Sequence, residues 1–122
     1  MDWHHPDYLP RRAWETGRSA EGANLDRYVK YMRAQVKELF SNYGEVFALW
    51  WDGREHSPEE LESGKTHAMV RKLQPQTLIN NRAGLAEDIA TPEQRIPPTG
   101  VVDAEGRPVV WEACITMTSH WW

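Results

Sequence analysis

The sequence predicts an α/β fold made of parallel βα units that form about half of a (β/α)8 barrel, or TIM barrel. Predicted helices and strands alternate along the chain, and this order is typical of parallel βα units. The chain has 122 residues, whereas a complete barrel needs about 250. A parallel sheet of three strands also needs further strands and covering helices, so we expect self-association to complete the barrel. Residues 1–122 are therefore interpreted as a single partial barrel domain.

The first predicted helix covers residues 24 to about 43. It follows an irregular segment, residues 1–23, that is rich in Pro, Arg, Gly and His. Apolar residues recur at helical spacing from Leu25 onward, basic residues occupy the opposite face, and Gly44 ends the helix. Residues 45–51 form a nearly continuous apolar run, which predicts a short strand buried on both faces.

The second predicted helix begins at Ser57. Ser57 as N-cap and Glu60 form the pattern of a capping box, with Pro58 in the first turn. The helix runs to about Leu73, and Pro75 ends it.

Three further segments complete the predicted order of elements. Residues 77–81 form the second predicted strand, residues 83–107 a long proline-rich loop, and residues 108–114 the third strand.

The composition argues against several classes of partner. The net charge is −4 and no basic stripe gathers the Lys and Arg residues, so we expect neither a nucleic acid nor an anionic membrane. No apolar run approaches the roughly 18 residues of a membrane span. The first residues do not resemble a signal peptide, so we expect the chain to be cytoplasmic as expressed, with its source compartment unknown. The single cysteine, Cys114, excludes an intrachain disulfide and a multi-cysteine metal site.

The tryptophans suggest a sugar site. There are seven, and most stand beside polar or charged residues, as Trp50 and Trp51 stand before Asp52. Tryptophan beside polar residues is typical of a sugar site, where the ring stacks on the apolar face of the sugar and the polar residues bind its hydroxyl groups.

Chemically active residues stand where the predicted strands end. Asp52, Arg82 and Glu112 each belong to a different strand end. His4 and His5 lie upstream of the first helix, where an earlier strand would end. In a barrel all of these positions open onto one face, and two carboxyl groups with donors for sugar hydroxyls are what glycoside hydrolysis needs.

Each of these residues also has a structural interpretation when taken alone. Asp52 is equally suited to starting a turn before Gly53, and the two histidines to forming a surface pair. A metal site at the histidines is not expected, because adjacent residues rarely both reach one ion.

Five motifs, taken in order, resemble those of the retaining α-L-fucosidases, glycoside hydrolase family 29. They are Met1-Asp2-Trp3-His4-His5-Pro6-Asp7-Tyr8, Leu49-Trp50-Trp51-Asp52-Gly53, Ile79-Asn80-Asn81-Arg82, Thr91-Pro92-Glu93 and Trp111-Glu112-Ala113-Cys114-Ile115-Thr116-Met117. Their order and spacing both fit the family, and together they extend over essentially the whole chain.

The resemblance implies catalytic roles for three carboxylates. Asp52 corresponds to the nucleophile that attacks the anomeric carbon of a terminal α-L-fucose. The acid/base is either Glu93, in the loop after the second strand, or Glu112, towards the end of the third strand. The resemblance leaves both open, and Glu93 is slightly favoured because a loop carboxyl can approach the leaving group from above the sugar ring.

The resemblance also implies a set of substrate-binding residues. His4 and His5 correspond to donors to the fucose hydroxyls, and Arg82 to a partner of the substrate or of the acid/base. Tyr8 and Trp51 would help to wall the pocket for the methyl group of the sugar. The implied substrate is a fucosylated glycan or glycoside, and neither a metal nor an organic cofactor is expected.

The chain departs from this family in its extent. Family members are full barrels, usually with a C-terminal β-sandwich, and this chain lacks the early and the late strands. We therefore expect a truncated central piece of a fucosidase. Two functions stay open: an α-L-fucosidase that works as a homo-oligomer, or a non-catalytic remnant that binds fucose or glycans. A glycosidase for a different sugar is a third alternative.

Overall fold

The computed structural model describes residues 1–2, 4–8, 21–53 and 55–118. Parts of the predicted irregular segment 1–23 and the C-terminal residues 119–122 lie outside the described residues. The described part of the chain forms two α-helices, one 3-10 turn and five short strands. The predicted mixed α/β class is confirmed, whereas the barrel and its completion by self-association stay predictions.

Helix α1 spans Leu25–Asn42, in agreement with the first predicted helix. Asn24 caps it, because its side-chain oxygen accepts a hydrogen bond from the backbone N–H of Arg27 at 3.2 Å. The apolar residues at helical spacing form one buried stripe, which consists of Tyr28, Val29, Met32, Val36 and Phe40. This stripe belongs to the hydrophobic core.

Helix α2 spans Ser63–Leu73, so the predicted start at Ser57 is wrong. The predicted capping box does form: the N–H of Ser57 donates to the Glu60 carboxylate at 2.8 Å, and the N–H of Glu60 donates to the Ser57 hydroxyl at 3.1 Å. It closes only one turn, because Glu62 adopts a left-handed backbone with a φ of 48°. The continuous helix begins after this break.

Strand β1 (Ala48–Leu49) and strand β2 (Leu78–Ile79) pair in parallel. Both lie within the predicted strands 45–51 and 77–81 but are much shorter. The N–H of Leu78 donates to the carbonyl of Phe47 at 3.0 Å, and the N–H of Asn80 donates to that of Leu49 at 3.3 Å. Side chains hold the neighbouring backbone as well.

Gln74 is one of these side chains, and it joins the end of α2 to the end of α1. Its amide nitrogen donates to the carbonyls of Phe40 at 2.9 Å and Gly44 at 2.8 Å. Its amide oxygen accepts the N–H of Val46 at 2.7 Å, just before β1. One buried amide thus satisfies two carbonyls at the end of a helix and one donor at the start of a strand.

The long loop predicted for residues 83–107 is wrong, because it contains two strands. Strand β3 (Ile89–Ala90) pairs in parallel with strand β5 (Pro108–Trp111), and strand β4 (Val101–Val102) pairs with β5 in the antiparallel direction. A single parallel bridge from Asn80 connects β2 to β3. The parallel strands therefore lie side by side in the order β1, β2, β3, β5.

The hydrophobic core lies between the two helices and the β1–β2 pair. Its largest fully buried apolar side chains are Tyr8, Tyr28, Leu61, Ile79 and Val70. Several large apolar side chains are exposed, among them Tyr43, Phe47, Ile96, Val102, Val110 and Met117. Neither described helix is long and apolar enough to cross a membrane.

Candidate active site

Four polar residues stand at the carboxyl ends of the parallel strands. Asp52 follows β1, and Arg82 lies in the 3-10 turn Asn81–Ala83 after β2. Glu93 follows β3, and Glu112 follows β5 directly. Because parallel strands end at the same edge of a sheet, the fold collects all four side chains at one edge, as in the crevice where α/β proteins bind their ligands.

Arg82 contacts two of the three carboxylates. One terminal nitrogen of its guanidinium lies 2.8 Å from Asp52 Oδ1, and the other contacts Glu93 Oε2. The Arg82 side chain is 17% exposed, whereas those of Asp52 and Glu93 are 59% and 48% exposed. The carboxylates therefore face solvent while the cation between them is largely buried. Arg82 Nε is also buried, and among the described residues it has no hydrogen-bond partner.

Glu112 joins this cluster through Trp50. The indole N–H of Trp50 donates to Glu112 Oε1, which also accepts a hydrogen bond from the Thr91 hydroxyl at 3.2 Å. The Arg82 guanidinium lies over the Trp50 ring, 5.2 Å from its centroid, in a cation–π contact. Trp50 thus links the third carboxylate to the arginine that holds the other two.

The backbone that leads into Asp52 is fixed by Asn80, which is fully buried. The side-chain oxygen of Asn80 accepts the N–H of Trp51 at 2.8 Å, and its nitrogen donates to the carbonyl of Trp51 at 3.0 Å. Gly53 then turns the chain with a φ of 67°. Asn80 lies two residues before Arg82, and Trp51, which it bonds, lies one residue before Asp52. The Asn80 side chain therefore sets the distance between the strand end that carries Asp52 and the turn that carries Arg82.

Trp51 points away from the strand-end edge. It is 7% exposed, and its indole N–H donates to His67 Nε2 of helix α2 at 3.0 Å. Trp50, which is 42% exposed, is the tryptophan beside the carboxylates. Trp50 and Asp52 both contact Arg82, whereas Trp51 contacts His67, so Trp51 lies on the other side of the chain.

The predicted binding residues of the N-terminal segment lie in different environments. Tyr8 is buried and packs edge-on against Tyr28 and against His56. The His5 ring lies 4.5 Å from the ring of Tyr31 on α1. His4 is exposed.

Met1 connects this N-terminal segment to the strand-end edge. Its amino group donates to the backbone carbonyl of Asp52 at 2.8 Å. Burial lowers the pKa of this amino group, against the opposing effect of the carboxylates of Asp52 and Asp2. The segment that carries the two histidines therefore starts beside the end of β1.

Several residues of the site were missed by the sequence interpretation. Asn80 and Thr91 belonged to recognised motifs but were given no role, and Trp51 was chosen as the binding residue instead of Trp50. The alternation of side chains along a strand is the signal that pairs Trp50 with Asp52. The partners of Asn80 and Thr91 depend on strand register, which the sequence does not display. Among the described residues, no three His, Cys, Asp or Glu side chains lie close enough together to share a metal ion.

Comparison with known proteins identifies a family. The family model named "Alpha-L-fucosidase" matches residues 1–122. α-L-Fucosidase isoenzyme 1 from Paenibacillus thiaminolyticus is 39% identical and superposes with a TM-score of 0.79 over 99% of this chain. No curated protein matches the chain.

Two further solved structures have a similar fold. A bacterial fucosidase with a dihydroxy-methylpyrrolidinyl triazole inhibitor is 26% identical over 94% of this chain, with a TM-score of 0.68. The α-L-fucosidase AlfC from Lactobacillus casei, in complex with α-L-fucose, is 24% identical over 93% of this chain, with a TM-score of 0.66. The chain spans 33%, 29% and 38% of the lengths of these three structures.

Proposed function

Because this chain belongs to the α-L-fucosidase family, we propose that it carries the part of the active site that removes terminal α-L-fucose with retention of configuration. The substrate class is a fucosylated glycan or glycoside. Asp52 is the nucleophile, and Glu93 or Glu112 is the acid/base.

The contact of one guanidinium with two carboxylates is the observation that carries this proposal. Arg82 touches Asp52 with one terminal nitrogen and Glu93 with the other. In retaining glycosidases the two carboxyl groups lie about 5–5.5 Å apart, so that one attacks the sugar directly while the other reaches the leaving oxygen. The two terminal nitrogens of a guanidinium are close together, so their contacts keep the two carboxylates near each other, which supports a shared role in such a reaction.

The proposed reaction has two steps. First, the Asp52 carboxylate attacks the anomeric carbon, the glycosidic bond breaks, and the acid/base gives its proton to the leaving oxygen. Second, the acid/base, now ionised, takes a proton from a water molecule. This water attacks the anomeric carbon and releases Asp52 from the fucosyl ester. Arg82 orients both carboxylates, and its buried Nε–H remains available as a donor.

The two acid/base candidates have different surroundings. Glu93 shares Arg82 with the proposed nucleophile and is 48% exposed, which favours it as the group that meets a leaving oxygen. Glu112 accepts hydrogen bonds from Trp50 and Thr91, which favours a role in holding Trp50 against Arg82.

Azide distinguishes these candidates when the substrate is 4-nitrophenyl α-L-fucoside. The nitrophenolate leaves without a proton donor, so a variant that lacks the acid/base still forms the fucosyl ester. Azide then attacks this ester without base assistance and yields α-fucosyl azide. We expect this product from Glu93→Ala and not from Glu112→Ala; the reverse result would assign the role to Glu112.

The remaining predicted residues are proposed as binding groups. His4 and His5 donate to fucose hydroxyls, and Arg82 contacts the substrate or the acid/base. Tyr8 and Trp51 remain the predicted wall for the sugar's methyl group, but both are buried against neighbouring side chains and Trp51 points towards α2, so the exposed Trp50 fits that place better.

Self-association is part of the proposal. Large apolar side chains such as Phe47 and Val110 are 80% and 69% exposed. Burying these side chains between copies removes apolar area from water, so we expect a homo-oligomer.

A glycan-binding role without catalysis is the second candidate. The position of Trp50 favours it: this side chain is 42% exposed and lies beside Glu112, and a tryptophan next to a carboxylate can stack on a sugar and help to bind it whether or not a reaction follows.

One experiment separates the two functions. The purified chain is assayed for nitrophenol release from 4-nitrophenyl α-L-fucoside across size-exclusion fractions, beside Asp52→Ala. The matched control is Asp26→Ala, which removes an exposed carboxylate from the first turn of α1. Turnover in the wild type and the control but not in Asp52→Ala supports the fucosidase. Equal turnover in all three proteins would point to a contaminant. No turnover, but saturable fucose binding that survives Asp52→Ala, would favour the binding role.

A further inference from the structure

A chain of buried polar contacts lies behind the candidate site, on the side opposite the carboxylates. It starts at the indole N–H of Trp51, which donates to His67 Nε2 at 3.0 Å. The other ring nitrogen, His67 Nδ1, lies 2.6 Å from Glu87 Oε1. The second oxygen of Glu87 lies 3.1 Å from Arg71, which also contacts Asp88. His67 is 3% exposed, so its own two contacts are shielded from water, whereas the side chains of Arg71 and Asp88 are 32% and 36% exposed.

The polarity of these bonds determines where the proton of His67 lies. An indole nitrogen only donates, so His67 Nε2 must accept and carries no proton. The proton of the neutral ring is therefore on Nδ1, where the Glu87 carboxylate accepts it. Arg71 in turn balances the charge of Glu87. The ring is thus held in one tautomer and one orientation, as in the carboxylate–histidine pairs that orient metal ligands.

This arrangement acts on the residue before the proposed nucleophile. The backbone of Trp51 is held by Asn80 and its indole by His67, so Trp51 is fixed at both ends. Asp52 follows directly and reaches Arg82 from this anchored position. A rotation of the Trp51 ring would be transmitted through its Cα to the carboxylate of Asp52.

We infer that His67 is a positioning residue, which fixes Trp51 through its acceptor nitrogen and thereby holds Asp52 against Arg82. Glu87 supports it by fixing the ring. An effect of His67 on catalysis rests on the proposed function of Asp52. Its effect on the position of Asp52 does not rest on that function, so the two effects can be tested separately.

Two substitutions of His67 distinguish the contact made by Nε2 of the imidazole from the contact made by Nδ1. In His67→Gln the amide oxygen reaches the place of Nε2 and can still accept the Trp51 indole proton. In His67→Asn the shorter side chain reaches only the place of Nδ1, so the Glu87 contact is kept and the indole loses its acceptor. Thr66→Val is the matched control. Thr66 is equally buried on α2, and its hydroxyl bonds Arg33 and the Glu62 carbonyl instead of Trp51.

The first readout is nuclear magnetic resonance of the 15N-labelled chain. We expect the indole proton of Trp51, assigned by its loss in Trp51→Phe, to exchange slowly with solvent in the wild type, His67→Gln and Thr66→Val. In His67→Asn it should exchange at least about 10-fold faster, and the backbone amide resonance of Asp52 should move. If His67→Asn alters neither signal more than Thr66→Val does, the positioning role is refuted.

Trp51→Phe keeps this test decisive if His67→Asn does not fold. It removes the same hydrogen bond from the other side. Because substitution of the preceding residue shifts the Asp52 amide in any case, the resonances to compare are those of the Arg82 guanidinium, which contacts Asp52. Unchanged Arg82 resonances in Trp51→Phe would overturn the inference.

The second readout is turnover of the aryl fucoside. A misplaced nucleophile lowers kcat more than it raises KM, and a displacement of about 1 Å costs about 10²-fold. We expect His67→Asn to lower kcat by about 10- to 100-fold, with His67→Gln recovering most of it and Thr66→Val unchanged. Equal kcat in His67→Asn and Thr66→Val would refute the effect of His67 on catalysis. A wild type without turnover would refute the proposed function, and the resonance test would still decide the positional role.

Discussion

Replacing Asn80 with leucine should destabilise the chain strongly, although the two side chains are similar in size. Asn80 is fully buried and bonds both backbone polar groups of Trp51, at 2.8 Å and 3.0 Å. In Asn80→Leu the N–H and the carbonyl of Trp51 lose their partners. Water cannot replace them, because Trp51 is only 7% exposed.

The expected loss follows from these two orphaned groups. A buried polar group without a partner costs about 1–3 kcal/mol, so two of them cost about 2–6 kcal/mol. The free energy of unfolding should therefore fall by about 2 kcal/mol or more. For a chain of this size 1 kcal/mol corresponds to roughly 4 °C in Tm, so we expect Tm to fall by about 8 °C or more.

Urea and thermal unfolding followed by circular dichroism at 222 nm measure this loss. Asn81→Leu is the matched control, because the Asn81 side-chain oxygen accepts a single bond, from the N–H of Thr91 at 3.1 Å, in a partly exposed place. We expect it to cost about 1 kcal/mol. If Asn80→Leu lowers the free energy of unfolding no more than Asn81→Leu does, the two hydrogen bonds to Trp51 do not hold the strand ends together.

Three further changes have defined outcomes. Arg82→Lys replaces a guanidinium that contacts two carboxylates with a single ammonium group, so kcat on the aryl fucoside should fall about 10²-fold. An unchanged kcat would contradict the bridging role of Arg82. Hydrogen bonds from Lys65 and Arg33 lower the pKa of Glu62 from 4.5 to about 2. The stabilisation from this ionised carboxylate is complete above pH 4.5 and is lost as the pH falls towards 2, so the acid-unfolding curve of Glu62→Gln should be flatter over this interval. Salt should weaken the effect, and identical curves for both proteins would exclude it. Leu61→Ala empties a fully buried position and should cost about 2–5 kcal/mol in urea unfolding, whereas a loss below about 1 kcal/mol would mean that the core collapses around it.

The longest elements were predictable because their patterns are local. The helix α1 repeats its apolar stripe over several turns, and its cap, Asn24, is adjacent in sequence. The capping box at Ser57 was also predicted, but not the left-handed residue Glu62 that limits it to one turn. Glu62 is held by Arg33, which comes from the other helix, so the break depends on a contact distant in sequence.

The short strands were hidden for a different reason. A strand such as Ile89–Ala90 has two residues, and alternation cannot be read from two residues. Its position is set by neighbouring strands. The convergence of Asp52 and Arg82 was predictable, since parallel strands end at one edge. The opposite orientations of Trp50 and Trp51 follow from side-chain alternation, but which of them faces the carboxylates depends on the packing of α2.

The amide of Gln74 has a consequence for the order in which the helices form. The carbonyls of Phe40 and Gly44, at the end of α1, receive their donor from a residue some thirty positions later in the chain. A peptide containing only residues 24–47 lacks that donor, so its last turn frays. The last turn of α1 is completed only when α2 docks, so the two helices form cooperatively, with their C-terminal ends joined through Gln74.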